Sequence, residues 1–163
     1  MRNVVLGIGI GSALASVGCR SAKPPRQRSA ADASKYIDLV LPADAQHVRY
    51  HEESLFTLTC VFSLELDRAA AEAFFAANSM LPRFADLREN GQIADSMDRV
   101  GQTTPWWDLA KDGDTVYGES TGRRTVKGAT LEWSMSVGLA GLNDSMVRIF
   151  MIYVEESAAS DGG

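Results

Sequence analysis

The feature that most constrains the fold is an alternating run between residues 56 and 66. Every second residue in it is apolar, and these residues share one side of an extended chain: Phe56, Leu58, Cys60, Phe62, Leu64 and Leu66. The positions between them are largely polar. A period of two over this length predicts a β-strand with one face buried. The fold must therefore contain a sheet and an element that covers its apolar face.

Two helices are predicted directly after this strand. Residues 68–77 are rich in alanine and carry Phe74 and Phe75, and Asp67 is a suitable N-cap, so this segment is typical of a helix with one apolar face. Pro82 is expected to open a second, shorter helix that ends near Gly91. These helices are the expected cover for the strand.

The remaining strands are predicted on both sides of these helices. Alternation favours strands at 46–51, 115–120, 126–137 and 146–154, with turns at Thr121-Gly122 and Asn143-Asp144. The last strand is apolar on both sides apart from Arg148, which predicts a central position covered on both faces. The order of elements predicts an α+β fold, with an antiparallel sheet of about five strands and one or two helices packed on one face.

The N-terminus has the pattern of a secretory signal. Arg2 is followed by a charge-free run over residues 4–17, which is shorter than the roughly 20 residues of a membrane span. The residues Val17-Gly18-Cys19 resemble a bacterial lipobox, although Ser16 stands where that family usually has leucine. The resemblance implies cleavage before Cys19, a diacylglycerol on its thiol and an acyl chain on the new amine. Cleavage without lipid and retention as an uncleaved anchor remain alternatives.

Charge and composition divide the chain into four parts. We expect a signal peptide at 1–18, a lipidated basic linker at 19–35, a single α+β domain at 36–157 and a flexible tail at 158–163. The linker carries five basic residues and one acid, whereas the chain from Tyr36 onward carries 10 basic and 20 acidic residues. An acidic body argues against nucleic acid as a partner, and a basic linker is attracted to anionic lipid headgroups.

The domain resembles small uncharacterised envelope lipoproteins. The resemblance is carried by the segment Leu41–Ala45 and by the Trp107-Asp108 pair. It implies no activity.

No motif assigns catalytic residues, a metal or a cofactor. His47 and His51 would lie about 13 Å apart on a strand, too far to share one metal ion. Cys60 lies in the apolar alternation and is interpreted as a small buried hydrophobe rather than a nucleophile. A serine-hydrolase elbow of the form Gly-x-Ser-x-Gly is absent from the sequence. We therefore expect a protein without cofactors that is not an enzyme.

The candidate binding residues are Trp106, Trp107 and Asp108, within a predicted loop at 101–113. Adjacent tryptophans in a loop cannot easily both face a core, so one ring could provide a contact surface for a glycan or a peptide. The alternative is structural: one ring caps the end of the helix layer and the other lies flat on the edge of the sheet.

The expected function is that of an envelope lipoprotein that acts as a non-catalytic binding or interaction module. It would be anchored through lipid on Cys19, in the outer membrane and facing the periplasm if the cell is of Gram-negative type. A wall-directed hydrolase and an inhibitor of a toxin or wall-cleaving enzyme are the alternatives.

Overall fold

A computed structural model of the chain describes residues 28–54, 57–104, 106–109 and 114–157. The helices are α1 (Ala30–Tyr36), α2 (Arg68–Ala77) and α3 (Gly91–Gly101); the strands are β1 (Gln46–Ser54), β2 (Leu58–Asp67), β3 (Thr115–Val126), β4 (Ala129–Gly141) and β5 (Met146–Ser157). The strands form one antiparallel sheet in the order β1-β2-β5-β4-β3. The predicted α+β fold with a five-stranded antiparallel sheet is confirmed.

Strands β2 and β5 form the centre of the sheet and are covered on both faces. All ten residues of β2 pair with β5, with Phe62 opposite Met151 and Leu64 opposite Ile149. Along β5 both sides are apolar, because neighbouring residues such as Phe150 and Met151 are buried on opposite faces. This is the central, doubly covered position that the apolar composition of residues 146–154 predicts.

One face of the sheet, here called the Phe62 face, packs against α1 and α2. Its core is formed by the apolar alternation of β2 together with Phe74 and Phe75 of α2 and Ile37 just after α1. The helix at 68–77 has the predicted bounds, although the side chain of Asp67 makes no capping hydrogen bond. Phe56 lies outside the described residues.

The opposite face, here called the Phe150 face, packs against α3 and the segment that follows it. Met97 of α3 is buried against Phe150, Val61 and Ile152. The structure thus adds a helix on the second face.

The predicted helix at 82–91 is wrong. This region holds only a short 3-10 turn at Phe84–Asp86. Helix α3 begins at Gly91, and the Asn90 side chain caps it by accepting hydrogen bonds from two backbone amides of the first turn.

The turn predicted at Thr121-Gly122 is also wrong, because β3 continues without interruption to Val126. The hairpin instead turns at Lys127 and Gly128, which both have positive φ angles, of 50° and 85°. Gly122 has a different role: a Cβ atom there would lie 2.5 Å from Trp133. Glycine at this position allows the indole ring to pass close to the backbone.

The folded domain begins earlier than residue 36, so the linker expected at 19–35 is too long. The hydroxyl of Ser29 accepts a hydrogen bond from the amide of Asp32 and caps α1, and Ala33 is fully buried in the core. A seven-residue helix, about two turns long and made mostly of small residues, carries too weak an apolar pattern to be recognised from sequence. The signal peptide, Cys19 and the tail at 158–163 lie outside the described residues. Within the described part of the chain, no helix is both long and apolar enough to cross a bilayer.

Candidate functional site

The structure places Trp107 over the centre of the Phe150 face. Its ring meets Phe150 edge-on at a centroid distance of 4.9 Å. Gly101, at the end of α3, makes this position possible, because a Cβ there would lie only 2.0 Å from the indole Cδ1 atom. The ring is half-buried, and its Nε1 atom has no hydrogen-bond partner among the described residues. Trp107 therefore helps to seal this side of the core.

Trp106 lies at the margin of the same cluster. Its ring is tilted against Trp107 at a centroid distance of 6.3 Å, and its carbonyl oxygen accepts a 3.5 Å hydrogen bond from Arg49 on β1. Trp106 and Asp108 are both half-buried. The loop is thus packed on the sheet, but part of the Trp106 ring still reaches solvent.

The two histidines occupy separate positions on β1. His47 sits at a β-bulge with a φ of 49°, and its Nε2 atom lies 3.8 Å from Glu65. The Nε2 atom of His51 lies 3.3 Å from Glu53. No group of three or more potential metal-binding side chains occurs among the residues that the structure describes.

A dense arrangement of charged and hydrogen-bonding groups lies elsewhere, on the Phe62 face beneath α1. We call it the polar cluster; its members are Arg28, Tyr36, Tyr50, Glu52, Cys60, Arg124, Tyr153 and Glu155. At its centre lies Glu155, a residue that is only 6% exposed. It accepts hydrogen bonds from the hydroxyls of Tyr36 (3.0 Å) and Tyr153 (2.5 Å).

Arg124 completes the shell around Glu155. Its Nε atom donates to the carboxylate at 2.6 Å, and its Nη1 atom donates to the carbonyl oxygen of Tyr36 at 2.6 Å. One guanidinium on the edge strand β3 therefore binds both β5 and the C-terminal end of α1. Charge-assisted hydrogen bonds of this kind are about twice as strong as neutral ones.

A second tyrosine–glutamate pair repeats this pattern on β1. Tyr50 donates a 2.5 Å hydrogen bond to Glu52, and its oxygen lies 3.6 Å from the sulfur of Cys60. Sheet register brings the two pairs together, because Cys60 lies opposite both Glu52 and Tyr153. Arg28 approaches Glu52 at 4.0 Å.

The ring of Tyr36 links the two halves of the cluster. The guanidinium carbons of Arg28 and Arg124 lie 4.2 Å and 4.4 Å from its centroid, within the range of a cation–π contact. The cluster thus fixes both ends of α1 to the sheet: Arg28 before the helix and Tyr36 at its last residue.

Burial keeps the donors of this cluster protonated. Desolvation and the hydrogen bond to Glu155 both raise the pKa of Tyr36. Desolvation, followed by the hydrogen bond to the neighbouring glutamate, also raises the pKa of Tyr50 and of Tyr153. Burial raises the pKa of the Cys60 thiol to about 11, so little thiolate exists near neutral pH. This cysteine has the properties of a buried structural residue rather than of a nucleophile.

Sequence reasoning missed the polar cluster. Its visible trace is a Tyr-x-Glu pattern that occurs three times, at residues 50–52, 117–119 and 153–155; only the first and the last belong to the cluster. Alternation places each pair on one side of its strand, but only the order β1-β2-β5 brings the two pairs to either side of Cys60. In comparisons with known proteins, no family model, no curated protein and no solved structure matches this chain.

Proposed function

We propose that this chain is an envelope lipoprotein, held to a membrane by lipid on Cys19, whose domain acts as a non-catalytic binding or interaction module. The observation that carries the proposal is the lipobox-type sequence Val17-Gly18-Cys19 after a charge-free run. The domain begins with the cap of α1 at Ser29, so a short basic linker separates the anchor from the fold. Two or more acyl chains give durable membrane attachment, whereas one gives only marginal binding.

The geometry of the buried carboxylates supports a module that binds rather than one that reacts. Glu155 is enclosed by Arg124 and two tyrosine hydroxyls, and Glu52 is bound by Tyr50 and lies near Arg28. Through these contacts both carboxylates help to hold α1 on the sheet. This structural role explains why the carboxylates are shielded from solvent, so a catalytic role is not needed to explain it.

The proposed location is the outer membrane of a cell of Gram-negative type, with the domain in the periplasm. Arg20 follows the cysteine where an acid would mark lipoproteins retained in the inner membrane. The acidic body, with 10 basic against 20 acidic residues from Tyr36 onward, favours a basic protein partner, since complementary charge speeds association.

Metabolic labelling with an alkynyl fatty acid tests the anchor. The wild-type chain should be labelled and should sediment with membranes, whereas Cys19→Ser should be unlabelled. Cys60→Ser is the matched control and should keep the label, because Cys60 is fully buried. Equal labelling of the wild type and Cys19→Ser would end the lipoprotein proposal.

Alanine substitutions in the tryptophan loop test the binding surface. Trp107→Ala should destabilise the domain by about 3–5 kcal/mol, as large-to-small core changes do. If Trp106 contacts a partner, Trp106→Ala should lower the recovery of cross-linked envelope proteins while stability changes little. If Trp106→Ala instead destabilises the domain as Trp107→Ala does and leaves partner recovery unchanged, the loop only seals the core.

A further inference from the structure

We infer that the outer edge of β3, at residues 121–125, is a docking site that takes an extended segment of a partner protein as a sixth strand of the sheet. The segment that fits this edge alternates apolar side chains with basic ones. Docking there needs neither lipid on Cys19 nor the tryptophan loop. Its grounds are the free backbone of the edge, an indole ring that crosses above it and the charge of the sheet face beside it.

Part of the outer edge of β3 is already covered, and the rest is open. At Tyr117 the backbone exchanges two hydrogen bonds with Arg88, of 2.8 and 3.0 Å. Alternation directs the backbone N–H and C=O groups of Thr121, Arg123 and Thr125 to the same outer side. These three residues are exposed, and none of the described residues makes a hydrogen bond to those groups. An open edge of this kind is a template for pairing with another chain.

The opposite edge of the sheet is less suited to an added strand. Strand β1 is interrupted by a bulge between Gln46 and Arg49, and His47 within it has a φ of 49°. A bulge twists an edge away from a regular partner. Strand β3, in contrast, pairs with β4 at every residue from Thr115 to Val126. Of the two edges, that of β3 is therefore the regular one.

Gly122 opens a contact surface for one side chain of the added strand. The Trp133 ring stacks on Tyr153 at a centroid distance of 6.3 Å and crosses above Gly122, where a Cβ atom would lie 2.5 Å from the indole. Because glycine has no side chain, the half-buried ring is open to the outer edge at this level. A residue of the added strand opposite Gly122 points to the same face of the sheet and contacts the ring, which favours an apolar side chain there, best an aromatic one.

The neighbouring side chains of the added strand meet an acidic surface on the Phe150 face. They lie opposite Thr121 and Arg123 and point to that face. A hollow of about 480 Å³ lies there, with Glu132 and Glu156 in its lining. Arg123 is paired with Glu132, so the exposed carboxylates of Glu119 and Glu156 are in excess. Lysine or arginine is attracted to this excess charge, so a basic segment is favoured over an acidic one.

A second copy of this chain does not fit the edge. Two copies of β3 that pair about a two-fold axis at residue 123 place Arg123 opposite itself, and an axis at residue 124 does the same for Arg124. Like charges directly opposite each other destabilise a pair of strands. An axis at residue 122 brings Lys127 of the turn opposite Tyr117, whose backbone is already bonded to Arg88. The edge therefore favours a different protein.

Binding of a model peptide tests the edge. The probe is acetyl-Lys-Val-Lys-Phe-Lys-Val-Lys-amide with a fluorescent dye on one lysine, and anisotropy measures its affinity for the full-length chain in detergent. Thr121→Pro removes one outward N–H group and leaves the ladder to β4 intact; Thr121→Val is the matched control and keeps that group. Two control peptides have glutamate in place of lysine, or N-methyl groups on alternate residues that prevent strand pairing.

The lysine peptide should bind the wild type and Thr121→Val alike. It should bind Thr121→Pro at least about five-fold more weakly, because one hydrogen bond of the added ladder is lost. The glutamate peptide should bind the wild type more weakly and the N-methylated peptide should not bind. Equal binding of the lysine peptide to the wild type and Thr121→Pro, or of all three peptides to the wild type, would overturn the inference, as would no binding of the lysine peptide.

Amide hydrogen exchange on the wild type gives a second measurement that needs no folded variant. The lysine peptide should slow exchange at Thr121, Arg123 and Thr125, whose amides are free in the chain alone. Slowing confined to other parts of the domain would place the peptide elsewhere and contradict the inference. Self-association of the chain that Thr121→Pro abolishes would make the occupant a second copy and would also contradict it.

Discussion

Replacing Arg124 with methionine should destabilise the domain by about 2–3 kcal/mol. Among the residues that the structure describes, the guanidinium is the one positive group bonded to the carboxylate of Glu155, a residue that is 6% exposed. Methionine keeps most of the apolar stem against Tyr36 but removes the charge. The carboxylate is then left buried with two tyrosine hydroxyls as its remaining donors.

The magnitude follows from the burial of the two partners. Breaking a fully buried ion pair by removing one partner costs about 3–5 kcal/mol, because the other charge stays uncompensated. The Arg124 side chain is 21% exposed and that of Glu155 5%, and the two hydroxyls continue to solvate the carboxylate, so the cost should fall at or below the lower end of that range. Adding Glu155→Gln should restore part of the loss, because it removes the charge that Arg124→Met strands.

Urea unfolding followed by tryptophan fluorescence measures these changes in a soluble form that runs from Arg28 to Gly163. Arg123→Met is the matched control: it removes the neighbouring arginine, whose pair with Glu132 is largely exposed, at 74% and 52%. Exposed pairs contribute about 0–1 kcal/mol. If Arg124→Met costs no more than Arg123→Met, then Glu155 is adequately solvated without its partner and the reasoning is refuted.

Two further predictions concern the core beneath the same cluster. Phe62→Ala should cost about 3–5 kcal/mol in the same assay, because Phe62 is fully buried and contacts Tyr50 at a centroid distance of 4.8 Å; a loss below about 1 kcal/mol would contradict the assignment of the Phe62 face. Cys60 should resist thiol reagents in the folded chain at pH 8 and react on unfolding. Burial raises the pKa of the folded Cys60 thiol from its ordinary value of 9.0 to about 11. Its contribution to stability is therefore complete below about pH 9, where both states hold the proton, and is lost as pH rises from 9 toward 11. Native reactivity at pH 8 equal to that of the unfolded chain would show that the thiol is not buried.

The sheet could be predicted because its signal is local. Alternation over residues 56–66 requires one buried face wherever the strand lies, and the two-sided apolar composition of β5 requires cover on both faces. Helix α2 follows a strand directly and has a clear apolar stripe, so its bounds could be read from the sequence. Each of these inferences depends only on residues that are close together in the chain.

Two predictions are wrong at glycines, because the missing side chain of a glycine can serve more than one structural purpose. In the sequence Gly122 predicts a turn, but its missing side chain gives room for Trp133. Gly91 predicts a helix end, but Asn90 caps a helix that starts there. Helix α3 has few large apolar residues, and Met97 is the only large side chain that it buries completely.

The polar cluster could not be predicted because it depends on register between distant strands. Tyr36 and Glu155 are 119 residues apart, and Arg124 reaches Glu155 across 31 residues. Nothing in the local sequence distinguishes Arg124, which is half-buried and bonded to two elements, from Arg123, which lies in solvent. The distinction appears only when alternation along β3 turns Arg124 toward the Phe62 face and Arg123 toward the other.

The position of the cluster explains why charged groups are buried there rather than apolar ones. Helix α1 has seven residues, and of these it buries only Ala33 and Ser34, so it offers little apolar area to hold it on the sheet. A helix this short does not form without tertiary contacts. Directional bonds from Tyr36 and Arg124 fix its position where apolar packing would allow it to slide. Because α1 is the first described element of the chain, the same bonds hold the start of the described fold to β5 at the centre of the sheet, and loosening them should release α1 from the sheet before it weakens the rest of the core.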